Sequence, residues 1–408
     1  MHANNRARVV AMSTGFAERI TVEALWDDPY PIYARMRREA PACYVPAVGL
    51  WFITRWADVE HAAAHPDAFP ASVRDSPLDR TLGGTNVLTV DGEQHKPWRA
   101  PLDEALRPRL LDERAPAMIR AICEHLLARF AGSGEADLMA EYFEPMSCLS
   151  VARWIGLGGD LDAPTLQRWF NGLATGTSNF ERDPQKQAIA GATSAEIDRT
   201  LRPLFERRLS EPDDTMVSLL LRAAEGNFDD RLAWLMPTLK LVLIGGLQEP
   251  GHGCGSTVYG LLSYPEQGKA LAADVAGLIQ RAVDEGLRWL SPIGTQTRIA
   301  GPGAVIAGVG IPQGENVGLL VSSANRDEEI FGPTAGEFDL FRRRRQRAAF
   351  GFGPHFCVGH HLARIQMRVA IGLLFERLPN LRLDPERPPL VRGWEYRAPV
   401  HLHVLFDA

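Results

Sequence analysis

The order of apolar and polar residues divides the chain into a long helical middle and two β-like ends. From about Asp103 to Trp289 apolar side chains recur at the spacing of one helix face, as in "LLDERAPAMIRAICEHLLARF" and "VAGLIQRAVDEGLRWL". Toward both termini a strand-like pattern replaces it. "ACYVPAVGLWFITR" (42–55) reads as a hairpin around a glycine-containing turn. "TRIAGPGAVIAGVGIPQGENVGLLV" (297–321) reads as strand, turn, strand, turn, strand, and "VHLHVLF" (400–406) as a closing strand. No repeat, linker or compositional break separates these parts. They predict a single domain over residues 21–408, mainly α with small β-sheets. Residues 1–20 read as a disordered arm, with Met12 an alternative start.

One stretch resists the helical pattern. "LIGGLQEPGHG" (243–253) places four glycines and a proline inside an apolar helical run. Each glycine costs about 1 kcal/mol against alanine in a helix interior and the proline about 3. Pro250 cannot donate to the Gly246 carbonyl, and its ring pushes that carbonyl aside. The expectation is a distortion that frees the carbonyl for water or substrate; the plainer reading is a kinked helix with a solvated Gln-Glu face.

Composition narrows the classes. Apolar content of 45% and charged content of 23% suit a globular protein with a large core. A net charge of -6 argues against nucleic acid as partner. No apolar run reaches the roughly 18 residues that span a membrane, and the first residues lack a signal-peptide core. Cys43, Cys123, Cys148, Cys254 and Cys357 are odd in number and scattered, so neither a disulfide framework nor a zinc cage is expected. The expected home is the cytoplasm. His360, His361, His401 and His403 read as structural.

Cys357 is the cysteine placed for chemistry. It follows a loop with Gly351, Gly353 and Pro354 and precedes a helix marked by Leu362, Ile365, Val369, Ile371 and Leu374. A thiolate there meets free backbone N–H groups and the positive end of a helix dipole. Glycines would let the backbone pass close to a flat partner. Both features suit a thiolate bound to haem iron; a buried cysteine at a helix start is the alternative.

The full string "FGFGPHFCVG" (350–359) resembles the haem-binding loop of the cytochromes P450, through Phe350, Gly351, Gly353, His355, Cys357 and Gly359. "EGLR" (285–288) resembles the family's E-x-x-R pair, which implies a buried ion network of Glu285, Arg288 and Arg342. "DGEQHKPWRAPL" (91–102) resembles its H-x-x-x-R helix start. The resemblance implies that His95, Arg99, Arg298 and His355 contact the propionates of haem b, with Gly246, Phe350 and Gly351 also at the cofactor. It implies too that 243–253 is the family's oxygen pocket, usually written A/G-G-x-D/E-T. Here Gln248 stands at the acid and Glu249 at the alcohol, so Glu249 becomes the expected proton handler, oriented by Gln248.

"GGLQEPGHGCGST" (245–257), "AEYFEPMSCLSVARWIGL" (140–157), "EGLRWLSPI" (285–293) and "GWEYRAPVHLHV" (393–404) further resemble the bacterial aryl O-demethylase P450s. That likeness implies a monooxygenase acting on a small methoxyphenol of guaiacol or syringol type. Leu82, Thr177, Leu247, Ile293 and Tyr396 are then the expected pocket residues, with a plain core role open for Leu82 and Ile293. Electrons would come from NAD(P)H through a separate flavin or iron–sulfur reductase or ferredoxin, with O2 or H2O2 as oxidant. The basic run "RRRRQR" (342–347) is the expected docking surface for that donor, through Arg343, Arg344, Arg345 and Arg347, or else a solvated cluster. The reading from another class is a non-catalytic haem protein, a binder or sensor.

Overall fold

Apolar residues at helical spacing form helices, and those that frame the site are α1 (Gly92–Ala105), α2 (Pro108–Leu127), α3 (Glu144–Ile155), α4 (Phe228–Gly246), α5 (Glu249–Ser263), α6 (Val275–Trp289) and α7 (His360–Arg377). The computed structural model describes residues 15–72, 75–159 and 161–407. Helix α5 is buried along almost its whole length and packs against α3, α6 and α7, while α7 also packs on α2. The middle of the chain thus forms one helical core, as the spacing predicts.

The strands gather from the ends: β1 (Ala42–Val45), β2 (Leu50–Ile53), β3 (Glu135–Asp137), β4 (Gln296–Ile299), β5 (Asn316–Leu319), β6 (Arg382–Leu383) and β7 (His403–Leu405). The predicted first hairpin is present, with Val45 opposite Leu50. It extends into a sheet of order β1-β2-β5-β4, in which only the β2–β5 pair is parallel. The expected middle strand of 297–321 instead folds back on itself as a separate hairpin, Val305–Ile306 with Val309–Gly310. Strand β7 lies between β3 and β6 and sets His403 opposite Asp137. The Asp137 carboxylate accepts the Leu402 N–H and a 2.6 Å bond from His401 Nδ1, so this histidine pair has an acidic partner that the sequence did not reveal.

The disordered arm expected over residues 1–20 is corrected at its inner end. Ala17–Arg19 form a 3-10 turn, and Ala17 and Ile20 are buried with Leu25, Tyr33 and the inner face of the β1–β2 hairpin. Phe16, Ala17 and Ile20 carry enough apolar surface to cover that edge. Residues 1–14, including Met12, lie outside the described residues.

The costly stretch at 243–253 is a true break. Helix α4 ends at Gly246, Leu247 and Gln248 leave the helix, and α5 begins at Glu249. Pro250 falls in the first turn of the new helix, where its missing N–H is not needed. The Gly246 carbonyl is not left free as the sequence suggested. The Ser147 hydroxyl of α3 donates to it at 3.3 Å, and the Cys148 thiol donates to the Leu247 carbonyl at 3.2 Å. The glycines beyond the break serve close packing. A Cβ on Gly251 would lie 2.7 Å from the Phe143 carbonyl oxygen, and one on Gly255 2.3 Å from the Met139 sulfur.

Candidate active site

A cavity of about 370 Å³ opens between the α4–α5 break and the cysteine loop, within the usual range for small-molecule sites. The loop forms from two 3-10 turns, Ala348–Phe350 and Gly353–His355, after which Gly359 caps α7. The Cys357 N–H donates to the Phe350 carbonyl at 3.0 Å, which closes the loop over its own start. Cys357 is half-buried and lines the cavity. Burial raises its thiol, while the Gly359 and His360 N–H groups and the Arg99 and Arg364 guanidiniums pull it down. Phe350 lines the cavity too, with the Arg364 guanidinium 4.4 Å from its ring centre.

Gly351 does not line the cavity, which corrects its expected cofactor contact. Its φ is +72°, and a Cβ there would strike the Gln296 side chain at 1.9 Å. Gly353 likewise faces the Ala63 carbonyl. These glycines fold the loop onto protein.

On the rim, α1 supplies His95 and Arg99, β4 supplies Arg298, and the loop supplies His355. The rings of His95 and His355 stand 4.6 Å apart. His355 Nε2 bonds Asp91 at 2.8 Å, and Arg99 pairs with Asp103. His95 Nε2, His355 Nδ1 and Arg298 Nη2 are buried with no hydrogen-bond partner. Burial holds the Arg298 guanidinium down at about 10 and lowers His95. Three nitrogens without acceptors in one cavity wall are an expensive arrangement unless a ligand supplies acceptors.

At the helix break, Gly246 and Glu249 line the cavity. Glu249 is buried with neither carboxylate oxygen hydrogen-bonded, and burial raises its carboxyl against the opposing pull of His252. Its neighbour is His252, whose Nδ1 lies 3.5 Å from Oε2. Gln248, expected to orient Glu249, stands just before α5 without a side-chain capping bond and does not line the cavity. Leu247 and Leu82 are likewise corrected: both are buried but outside the cavity lining, Leu247 being turned into the helical core.

Thr177, Ile293 and Tyr396 do line the cavity, and Thr177 Oγ1 bonds the Tyr396 hydroxyl at 2.8 Å. Beside them stands a pair that the sequence reading missed. The Thr295 hydroxyl lies 2.8 and 2.7 Å from the two oxygens of Glu395, and burial pushes that carboxyl up to about 7 against the hydroxyl's pull. No local pattern signals two residues a hundred positions apart. His252, also missed, was visible: it sits three residues after Glu249, on the same helix face.

Residues 277–391 match the family model for cytochrome P450. Over 371 residues the chain is 32% identical to a vitamin D(3) 25-hydroxylase of Pseudonocardia autotrophica, covering 88% of each. It is 28% identical to a 6-deoxyerythronolide B hydroxylase of Saccharopolyspora erythraea, covering 93% of this chain and 96% of that one. The solved structure of P450BioI with an acyl-ligated acyl carrier protein superposes with a TM-score of 0.83 at 27% identity, over 94% of this chain and all of that one. The chain belongs to the cytochrome P450 family.

A P450 carries haem, and the residues present fit it. The unpartnered nitrogens of His95, Arg298 and His355, with Arg99, are suited to two propionates, and Cys357 offers a thiolate from the same cavity. When bound, the haem supplies dioxygen activation, aided by electron donation from a thiolate ligand. Beneath the loop the E-x-x-R network of this P450 stands as expected. Arg288 reaches Glu285 through two bonds of 2.8 and 2.6 Å, and Arg342 adds one of 3.1 Å.

The basic run divides. Arg343, Arg344 and Arg345 are exposed, whereas Arg347 turns inward, its side chain only 10% exposed and 3.8 Å from Asp284. Arg347 therefore drops out of the docking surface, because its side chain is turned in toward the buried Asp284 carboxylate, on which Arg344 at 3.3 Å and Arg364 at 3.6 Å also converge. Reversing the charge of Arg343 and Arg345 is expected to weaken reductase-supported turnover and flatten its salt dependence while substrate binding stays intact. Stopped-flow reduction across ionic strength checks this, and an unchanged salt profile removes the run from the docking surface.

Proposed function

We propose that this P450 removes the methyl group of a small methoxyphenol. The observation that carries the reading is the make-up of the cavity. Most of its wall is apolar, and the Thr177–Tyr396 and Thr295–Glu395 pairs stand together on it. An aromatic ether suits the apolar wall, and its phenolic hydroxyl finds acceptors in these pairs. The resemblance of 245–257 and 393–404 to aryl O-demethylases points the same way. One oxygen atom of O2 enters a methyl C–H bond, giving a hemiacetal that breaks to a phenol and formaldehyde. The other leaves as water, with two electrons and two protons consumed. The electrons come from NAD(P)H through a separate reductase or ferredoxin, and peroxide can replace both oxygen and electrons.

Within this reading Glu249 gives and takes the protons. Its carboxyl, buried at the cavity and raised above the usual carboxylate range by that burial, suits the task. Glu249→Ala is expected to leave haem content and substrate affinity intact while cutting peroxide-supported demethylation by at least about tenfold. Unchanged peroxide activity would make Glu249 a bystander.

The names of the relatives favour a second reading, hydroxylation of a larger apolar skeleton such as a steroid or macrolide. A spectral binding screen of guaiacol and syringol beside a steroid and a macrolide decides between them. Formaldehyde released in equal amount to the phenol supports demethylation; binding of only the larger compounds overturns it.

A further inference from the structure

We propose that Glu144, His252 and Glu249 form a proton line from the protein surface to the cavity, with His252 exchanging protons between the two carboxylates. The line extends the role proposed for Glu249 and rests on it.

The three side chains are graded in exposure, at 22%, 10% and 8% from Glu144 to Glu249. His252 presents a different ring nitrogen to each neighbour. Nε2 lies 3.9 Å from Glu144 Oε1 on α3, and Nδ1 lies 3.5 Å from Glu249 Oε2 one helical turn back on α5. Gln167 Nε2 holds the other Glu144 oxygen at 3.0 Å, leaving Oε1 to the histidine. The edge-on ring of Phe170, 5.6 Å away, packs beside the imidazole.

The unused hydrogen-bonding capacity matters most. His252 Nδ1 and both Glu249 oxygens are buried with no hydrogen-bond partner, a costly state that structural groups avoid. The facing atoms stand 3.5 and 3.9 Å apart, so a small side-chain adjustment would bring each pair to hydrogen-bond distance. The charged groups facing His252 are Glu249 and Glu144; beyond Glu144 stand Asp137 and His401. Burial lowers the imidazole, but the two carboxylates outweigh it and the net shift is upward. Burial raises Glu249 as well, against the pull of His252.

The step balances without any redox partner. A proton enters from water at Glu144 and passes to His252 Nε2. His252 then releases its other proton from Nδ1 to Glu249, which delivers it to the cavity. Return of His252 to its first tautomer resets the line. The usual acid–alcohol pair of the family is absent here, and this route supplies a different source of protons at the same helix break.

The test uses the haem-loaded protein with three substitutions: Glu249→Gln, His252→Phe and Glu144→Gln. The infrared carbonyl band of the protonated Glu249 carboxyl is identified by its loss in Glu249→Gln. Transfer to D2O then gives the rate at which that band shifts. His252→Phe and Glu144→Gln are each expected to slow the exchange at least about tenfold. They should also raise the fraction of NAD(P)H consumed without product, at unchanged substrate affinity. Glu144→Gln keeps its bond to Gln167 and sits near the surface, so it tests the line even if His252→Phe does not fold. Exchange and coupling within twofold of the parent in the folded variants overturn the line while leaving Glu249 its role. Unchanged turnover in Glu249→Gln overturns both.

Discussion

Cys357→Ala is expected to lose the red-shifted absorption of the reduced, CO-bound thiolate haem and to bring oxygenase turnover to background. The fold should survive, because the loop is closed by the backbone bond from the Cys357 N–H to the Phe350 carbonyl and not by the thiol. No other cysteine can stand in. Among the described residues Cys357 is the cysteine that lines the cavity. Burial drives the thiols of Cys148 and Cys254 far above the usual range and that of Cys123 to about 12. An alanine variant that binds haem and keeps the thiolate spectrum overturns the assignment of Cys357 as the ligand.

The second large effect belongs to a residue far from any substrate. Arg288 is fully buried and, beyond Glu285, donates to the carbonyls of Asn325, Ala335 and Glu337 at 3.0, 2.6 and 2.7 Å. Arg288→Ala strips the Asn325 and Ala335 carbonyls of this donor, and leaves both the Glu337 carbonyl and the buried Glu285 to Arg342. Breaking a buried pair by removing one partner costs about 3–5 kcal/mol. The damage reaches the cysteine loop, since Asn325 also accepts the Ala348 N–H at 2.7 Å. Chemical unfolding should show that loss, and purified protein should carry less haem. A loss below about 1 kcal/mol, the range of surface ion pairs, would show that the network does not brace the loop.

Much of this was legible in the chain because it is local. Helix periodicity placed the core, and the first hairpin followed from its own turn. Glycine and proline costs marked the helix break. Cys357, His95 and His355, which share the cavity wall with Arg298, each lie in a short motif that the chain carries intact. The misreadings share a cause: each depended on what a distant segment brings to the spot. The Gly246 carbonyl is met by Ser147, Gly351 by Gln296, and Arg347 by Asp284. Leu82 and Leu247 sit at the right place in the chain but face the interior. Thr295 and Glu395 meet only through the fold. Glu249 was read as working with its sequence neighbour, while a helix makes neighbours of residues three and four apart.

The seat of α5 also says where this enzyme can be reshaped. With Gly251 against the Phe143 backbone and Gly255 against the Met139 sulfur, a methyl group at either position would have to displace its neighbour. That span is thus a fixed casting, and enlarging the chamber from that side would displace the Glu249 carboxylate at its start. Another part of the wall is lined by two side-chain pairs, Thr177 with Tyr396 and Thr295 with Glu395. Selection for bulkier or differently charged substrates should therefore collect its changes at those four positions and leave the glycines of α5 untouched.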